Sequence, residues 1–129
     1  MTLTNLQILN YTEKLQKAFE GNNKFFPITV IFYIQKNQNT LNQLASELEE
    51  FRINLVKQYG DLSEDGQYYN IKPEYQETVQ KKITDLMEIK QKVEIHKIKL
   101  TDLAGVSLSK QEMDAIIFMI DDEEDEDAD

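Results

Sequence analysis

The sequence predicts an α+β fold that is mainly α, with four helices, a long central helical hairpin and a small two-stranded β element. The first observation is a seven-residue repeat of apolar side chains between Pro27 and Tyr59, with more apolar residues at three- or four-residue spacing between them. This pattern is typical of the buried stripe of a helix. The stripe consists of Ile34, Leu41, Leu44, Leu48, Phe51 and Leu55. A helix over 28–59 is about 48 Å long, so the other segments must pack along it.

The second observation is a turn signal, Asp65-Gly66, which is followed by the strand-forming residues Tyr69–Ile71. Another short strand is predicted near 92–99, where Val93 and Ile95 alternate with polar residues. We expect these two strands to pair with each other. They must also pack against the helices, because an isolated pair of short strands is marginally stable in water.

The first two helices are predicted over about 5–20 and 28–59. Thr4 and Gln7 fit a capping box at the start of the first helix. Residues 28–34 have the β-branched and aromatic composition of a strand, which is the alternative for this segment. Helix is favoured because apolar and polar residues do not alternate there, and because Pro27 suits a first helical position.

The third and fourth helices complete the fold. Pro73 opens the third, about 73–90, which we expect to run antiparallel to the second helix and to share its stripe. Ser109 and Glu112 fit a second capping box before the apolar face of the last helix.

The formal net charge of −10 is concentrated at one end of the sequence. Residues 121–129 contain eight of the 24 acidic residues and no basic residue, which leaves a net charge of −2 for residues 1–120. We therefore predict a single mainly helical domain over 1–120 and an acidic, disordered tail over 121–129. The acids of the tail are Asp121, Asp122, Glu123, Glu124, Asp125, Glu126, Asp127 and Asp129.

Between residues 81 and 99 lysines outnumber acids, so this segment is locally basic and could receive the tail or an anionic partner. Its lysines are Lys81, Lys82, Lys90, Lys92, Lys97 and Lys99.

The composition of the sequence also indicates the cellular compartment. The sequence has no Cys, which excludes disulfides and thiolate metal sites and fits a reducing cytoplasm. Its first residues lack the pattern of a signal peptide. The most apolar window, 25–34, is far shorter than the roughly 20 apolar residues that cross a bilayer. We expect a cytoplasmic protein that makes no contact with a membrane.

Three blocks of residues carry a family resemblance. They are Phe32–Asn37, then Arg52 with Tyr59, and then His96–Leu103 leading into Leu108, Ser109, Met113 and Ile116–Ile120. Over about residues 3–120 the chain resembles a family of short, uncharacterised proteins encoded by tailed phages and prophages of Gram-positive bacteria. The resemblance implies a phage origin and the cytoplasm of a bacterial host. It implies no activity and no catalytic residue.

Two candidate metal sites have plainer interpretations. The segment Asp61–Gly66 matches the first half of a calcium loop, but the position of the bidentate Glu holds Lys72, so an ordinary Asp-Gly turn is favoured. His96 is the only histidine and has no ligand-type partner nearby in the sequence. Its place in a predicted strand favours a side chain that faces solvent.

Glu47, Glu49 and Glu50 form a second acidic cluster. A paired-carboxylate centre or half of a helical metal site is one interpretation. A solvated helix face is favoured, because no Glu-x-x-His motif accompanies the cluster. No serine lies in a nucleophile elbow, and the four glycines are too scattered for a phosphate loop. We predict no catalytic residue, no cofactor and no metal.

The function predicted from these features is that of a non-enzymatic, phage-encoded protein-binding module, in assembly or host takeover. The alternative is an acidic inhibitor of a host defence or nucleic-acid enzyme, of the anti-CRISPR or anti-restriction type, whose tail imitates DNA phosphates. In both cases the partner is a phage or host protein, without direct contact to nucleic acid. The candidate partner-binding residues are the eight acids of the tail with Glu47, Glu49 and Glu50. Monomer and homo-oligomer both stay open.

Overall fold

A computed structural model describes residues 1–20 and 26–121 of the chain. This part contains the helices α1 (Asn5–Phe19), α2 (Ile28–Tyr59), α3 (Gln76–Glu88) and α4 (Lys110–Ile116). Its short strands are β1 (Thr2–Thr4), β2 (Gly60–Leu62), β3 (Tyr69–Ile71), β4 (Lys90–Lys92), β5 (Ile98–Lys99) and β6 (Ile120–Asp121). Short 3-10 turns lie at Pro73–Tyr75, Leu100–Leu103 and Ile117–Met119. The predicted fold class, α+β with helix predominating, is confirmed.

The segment 28–34 is helical, as predicted, despite its strand-like composition. Val30 and Ile34 are buried, whereas Ile28 and Phe32 are exposed, so burial follows the spacing of a helix face and not the alternation of a strand. Packing therefore outweighs the β propensity of the individual residues. Within the described part of the chain, no helix is both long enough and apolar enough to cross a membrane.

α1 packs antiparallel on α2, over the part that ends near Leu48. The hydroxyl of Thr12 lies 3.4 Å from the carbonyl oxygen of Leu41, which fixes the level at which the two helices meet. Seven residues towards the N-terminus, α1 begins at Asn5, and seven residues further along, α2 has reached Leu48. α1, with 15 residues, is about 22 Å long, so it covers less than half of α2.

The core lies where α1, α2 and α4 meet. Its fully buried side chains come from each of these helices and from the chain around them, and they include Ile8, Leu15, Val30, Leu41, Ile98, Ile116 and Met119. At its edge the rings of Tyr11 and Phe118 stack with their centroids 4.1 Å apart. The capping boxes predicted at Thr4 and Ser109 are both present, and they fix the starts of α1 and α4.

α3 continues along α2 where α1 stops, and it runs antiparallel to α2 as predicted. It starts beside the end of α2, where the rings of Tyr59 and Tyr75 lie 5.3 Å apart. It ends beside the start of α1, where Asn5 is buried. The Asn5 side chain donates to the Leu86 carbonyl at 2.8 Å and accepts from the Gln91 amide at 2.7 Å. Asn5 thus joins α1 to the end of α3.

A second buried asparagine, Asn37, binds the segment between β4 and β5 to α2. Its side-chain carbonyl accepts from the backbone N–H of His96 at 2.8 Å, and its side-chain N–H donates to the carbonyl of His96 at 2.9 Å. The same N–H group lies 3.3 Å from the sulfur of Met119. Asn37 is fully buried, and it satisfies two backbone groups of His96 that would otherwise be unpaired in a partly buried site.

The predicted pairing of a strand near 92–99 with Tyr69–Ile71 is wrong, and this segment is a strand only at its ends, where Lys92 belongs to β4 and Ile98–Lys99 forms β5. β3 instead pairs antiparallel with β2, the strand immediately before the turn, because a short turn closes at lower entropic cost than a distant pairing. β4 pairs antiparallel with β1, and β5 pairs parallel with β6. Beyond β4, Val93 exchanges two backbone hydrogen bonds with Met1, and further along Asn37 supplies the backbone hydrogen bonds of His96.

We expect Asn37→Ala to lower the free energy of unfolding by about 2–4 kcal/mol, because it leaves the N–H and C=O of His96 unpaired in a partly buried site. Asn39→Ala, at an exposed position of the same helix, is the control and should change it by less than about 0.5 kcal/mol. Urea unfolding followed by circular dichroism measures both. Equal effects in the two variants would contradict the role of Asn37.

Candidate protein-binding groove

The apolar stripe of α2 leaves the core at Phe51. Leu41 and Leu48 are buried, but Phe51 is 60% exposed and Leu55 is only half-buried. The expectation that Phe51 faces the core with the rest of the stripe is therefore wrong. The reason is the length of α1, which begins level with Leu48 and leaves the next two stripe positions uncovered.

α3 covers this part of α2 incompletely, and an open groove of about 440 Å³ remains between the two helices. Its apolar side chains are Phe51 and Leu55 from α2, Leu86 from α3, and Ile89 directly after α3. Ile89 is 52% exposed, so apolar surface is accessible on both walls. The remaining lining residues are Asn54, Gln58, Lys82 and Asp85.

The chemistry of the groove suits binding of an apolar surface. It has an apolar floor with amides and one charge of each sign around it, which is the arrangement of an apolar interface core with a polar rim. A helix with apolar residues at three- and four-residue spacing matches such a groove in shape. The sequence contained the signal, since Phe51 and Leu55 continue the repeat, but it did not show that the covering helix would end before them.

The acidic cluster of α2 lies on the surface, as predicted. Glu47, Glu49 and Glu50 are all exposed, and none of them lines the groove. Glu49 is engaged by Arg52, whose Nε donates to the carboxylate at 3.1 Å. This hydrogen bond and the charge of Arg52 lower the pKa of Glu49.

The predicted acidic tail begins at the edge of the fold. Asp121 lies in β6, directly opposite Lys99 of β5 in the parallel register. The other seven acids of the tail, in residues 122–129, lie outside the described residues. The chain thus enters the tail beside one lysine of the segment 81–99.

Two lysines of that segment line different grooves. Lys82 lines the groove between α2 and α3. Lys90 lines a different groove of α3, together with Leu6 of α1. A basic patch that receives the tail, as expected from the sequence, could include both Lys82 and Lys90 only if it extended over both grooves.

The calcium-like segment forms a turn of the β2–β3 hairpin. Asp65 accepts from the Ser63 hydroxyl and from the Gln67 backbone N–H, and both hydrogen bonds lower its pKa. Gly66 has a φ of +74°, which suits glycine in a turn. The Lys72 ammonium lies 3.8 Å from the Asp61 carboxylate, at the position where a calcium loop needs an anion. Among residues 1–20 and 26–121, no group of three or more His, Cys, Asp and Glu side chains could hold a metal ion.

His96 is half-buried and does not simply face solvent as expected. Its ring stacks on that of Tyr33, with centroids 5.6 Å apart and planes within 4°. The predicted strand that motivated the solvent-facing orientation is absent here, because Asn37 holds the His96 backbone against α2. The role that this structure gives His96 is packing on α2.

We expect Arg52→Gln to raise the pKa of Glu49 towards its ordinary value of 4.5, because the lowered pKa depends on Arg52. The sign follows from linkage: a carboxylate with a lowered folded pKa stabilises the fold above its unfolded pKa, and this stabilisation is lost as pH falls through the folded pKa. Titration of the Glu49 carboxyl carbon by NMR measures the shift. Lys57→Gln, which removes another cation of α2, is the control, and an unchanged Glu49 pKa in Arg52→Gln would contradict the pairing.

No family model matches the sequence, and no curated protein or solved structure is similar to it.

Proposed function

We propose that this chain is a non-enzymatic, phage-encoded module that binds another protein through the groove between α2 and α3, in assembly or host takeover. The observation that carries the proposal is the exposure of Phe51 on a helix stripe in which the preceding residues Ile34, Leu41 and Leu48 are buried and Leu44 is half-buried. The phage origin and a bacterial cytoplasm rest on the resemblance of the residues quoted above.

The energetic support comes from the apolar side chains of the groove. Fully burying an exposed Phe or Ile side chain contributes about 1.5–3 kcal/mol. Phe51 and Ile89, which are 60% and 52% exposed, face the same groove from its two walls, so one partner can cover both. Side chains of this kind at the centre of an interface are typical binding hot spots.

The partner we propose is an amphipathic helix. The seven-residue repeat continues through Phe51 and Leu55, and such a repeat packs on a helix with matching spacing. Among the described residues that line the groove, Lys82 and Asp85 carry opposite charges and balance each other, so a helix with a mixed rim fits the groove better than a strongly charged peptide.

Phe51→Glu tests this proposal. The side chain is 60% exposed, so the fold should tolerate the substitution, while a carboxylate in the groove opposes burial of an apolar partner. The control is Ile53→Glu, which adds the same charge two residues away on a side chain outside the groove. We expect affinity capture from lysate of an infected host to recover a protein with wild type and with Ile53→Glu, and to lose it with Phe51→Glu.

Light scattering on purified protein completes the test. A wild-type dimer that becomes monomeric in Phe51→Glu would mean that the groove takes a second copy of the chain and not a foreign helix. Recovery of the same proteins by wild type and by both variants would contradict a partner at this groove.

The alternative function is inhibition of a host defence or nucleic-acid enzyme through the acidic tail. It is favoured by the density of charge, eight acids in the last nine residues. Since Asp121 belongs to β6, a truncation should remove residues 122–129 and leave that strand intact. Tail-based mimicry predicts that this truncation abolishes binding and that wild-type binding falls steeply with salt. Groove-based binding predicts little change in either measurement.

A further inference from the structure

A cleft between α1 and α2 is lined almost entirely by uncharged polar side chains. Thr12, Leu15 and Gln16 of α1 face Gln38, Asn39 and Asn42 of α2 around a volume of about 350 Å³. Four of these six residues carry a carboxamide. The cleft is separate from the groove at Phe51, since Asn42 and Phe51 are nine residues apart on α2, or about 13 Å along its axis.

The four carboxamides are available to a ligand. The Thr12 hydroxyl donates to the Ile8 carbonyl at 2.7 Å, so it is already engaged. By contrast, the side chains of Gln16, Gln38, Asn39 and Asn42 make no hydrogen bond within the described part of the chain. Each amide offers two donor hydrogens and one acceptor oxygen.

The fold itself gives no reason for asparagine at two of these positions. Asn is less favourable than Ala, Lys or Glu in the interior of a helix, because its side chain competes for backbone hydrogen bonds. Asn37 offsets this cost by binding the backbone of His96. Asn39 and Asn42, on the same helix and exposed, have no such bond. Their amides are better explained by a ligand than by stability.

The charge and polarity of the side chains that line the cleft indicate which class of ligand it can bind. An ionised ligand would need an opposite charge, and none of the described residues that line the cleft is charged. An apolar ligand would leave four amides unpaired, which is unfavourable. A sugar hydroxyl is both donor and acceptor, and a carboxamide can meet two adjacent hydroxyls with its carbonyl and its N–H.

The length of the cleft limits the size of the ligand. Its α2 wall runs from Gln38 to Asn42, which is about 6 Å along the helix axis. An extended peptide rises about 3.3 Å per residue, so fewer than two residues would fit, too few for repeated main-chain bonds. A single sugar ring has the right dimension. We propose that this cleft binds one neutral monosaccharide unit of a glycan.

The test is an NMR titration of the full chain with glucose, N-acetylglucosamine and, separately, glucuronate and triglycine. We expect amide shifts at the cleft residues with at least one neutral sugar and none with glucuronate. In Asn39→Ala/Asn42→Ala the dissociation constant for that sugar should rise by about tenfold or more, because two hydrogen-bonding groups are removed. Gln35→Ala/Gln43→Ala, with exposed amides of α2 outside the cleft, is the control and should bind as wild type does.

The melting temperature separates binding from folding. Because Ala is the better helix former, Asn39→Ala/Asn42→Ala should melt at least as high as wild type while it loses the sugar. Three results would overturn the proposal: no shift with either neutral sugar, shifts outside the cleft only, or binding of triglycine or glucuronate in preference to the neutral sugars.

Discussion

The buried amide of Asn37 is the constraint on which the packing of the β4–β5 segment against α2 depends. A buried peptide group without a partner is costly, and at the half-buried His96 the chain between β4 and β5 belongs to no sheet. Asn37 presents both an acceptor and a donor to His96, so one side chain satisfies both backbone groups of that residue. It occupies a stripe position of α2, midway between Ile34 and Leu41, where every apolar residue would leave His96 unsatisfied.

The groove follows from a difference in length between helices. α2 has 32 residues, whereas α1 has 15 and α3 has 13, and these two shorter helices lie one after the other along it. Asn5 marks the place where they meet. α1 covers its part of α2 tightly, since Ile8 and Leu15 are fully buried, whereas only Val79 of α3 is buried. The apolar surface of the C-terminal part of α2 is consequently shared between α3 and the exterior.

Much of the helical structure could be predicted from spacing and end signals. The stripe of α2 and the capping boxes at Thr4 and Ser109 are local patterns, and each corresponds to an observed element. The strand pairings could not be predicted in this way. β1, β5 and β6 have two or three residues each, too few for a periodic pattern, and their partners lie far away in the chain.

The candidate groove could be predicted only in part. Its residues were identifiable as apolar stripe positions, yet the sequence does not show where the covering helix ends. Asn37 was missed because an amide at a stripe position reads as a gap in the pattern. The only available signal was its place in the seven-residue repeat, where a single buried Asn is known to fix the register of helix packing.

The segment 90–99 links both ends of the described chain to α2. β4 holds the first strand of the chain, β5 holds β6, and the stretch between them is fastened to α2 through His96. Release of this ten-residue connector would free both ends of the described chain in the same event. The two sheets at its ends, although built from separate strands, should accordingly open and close as one cooperative unit.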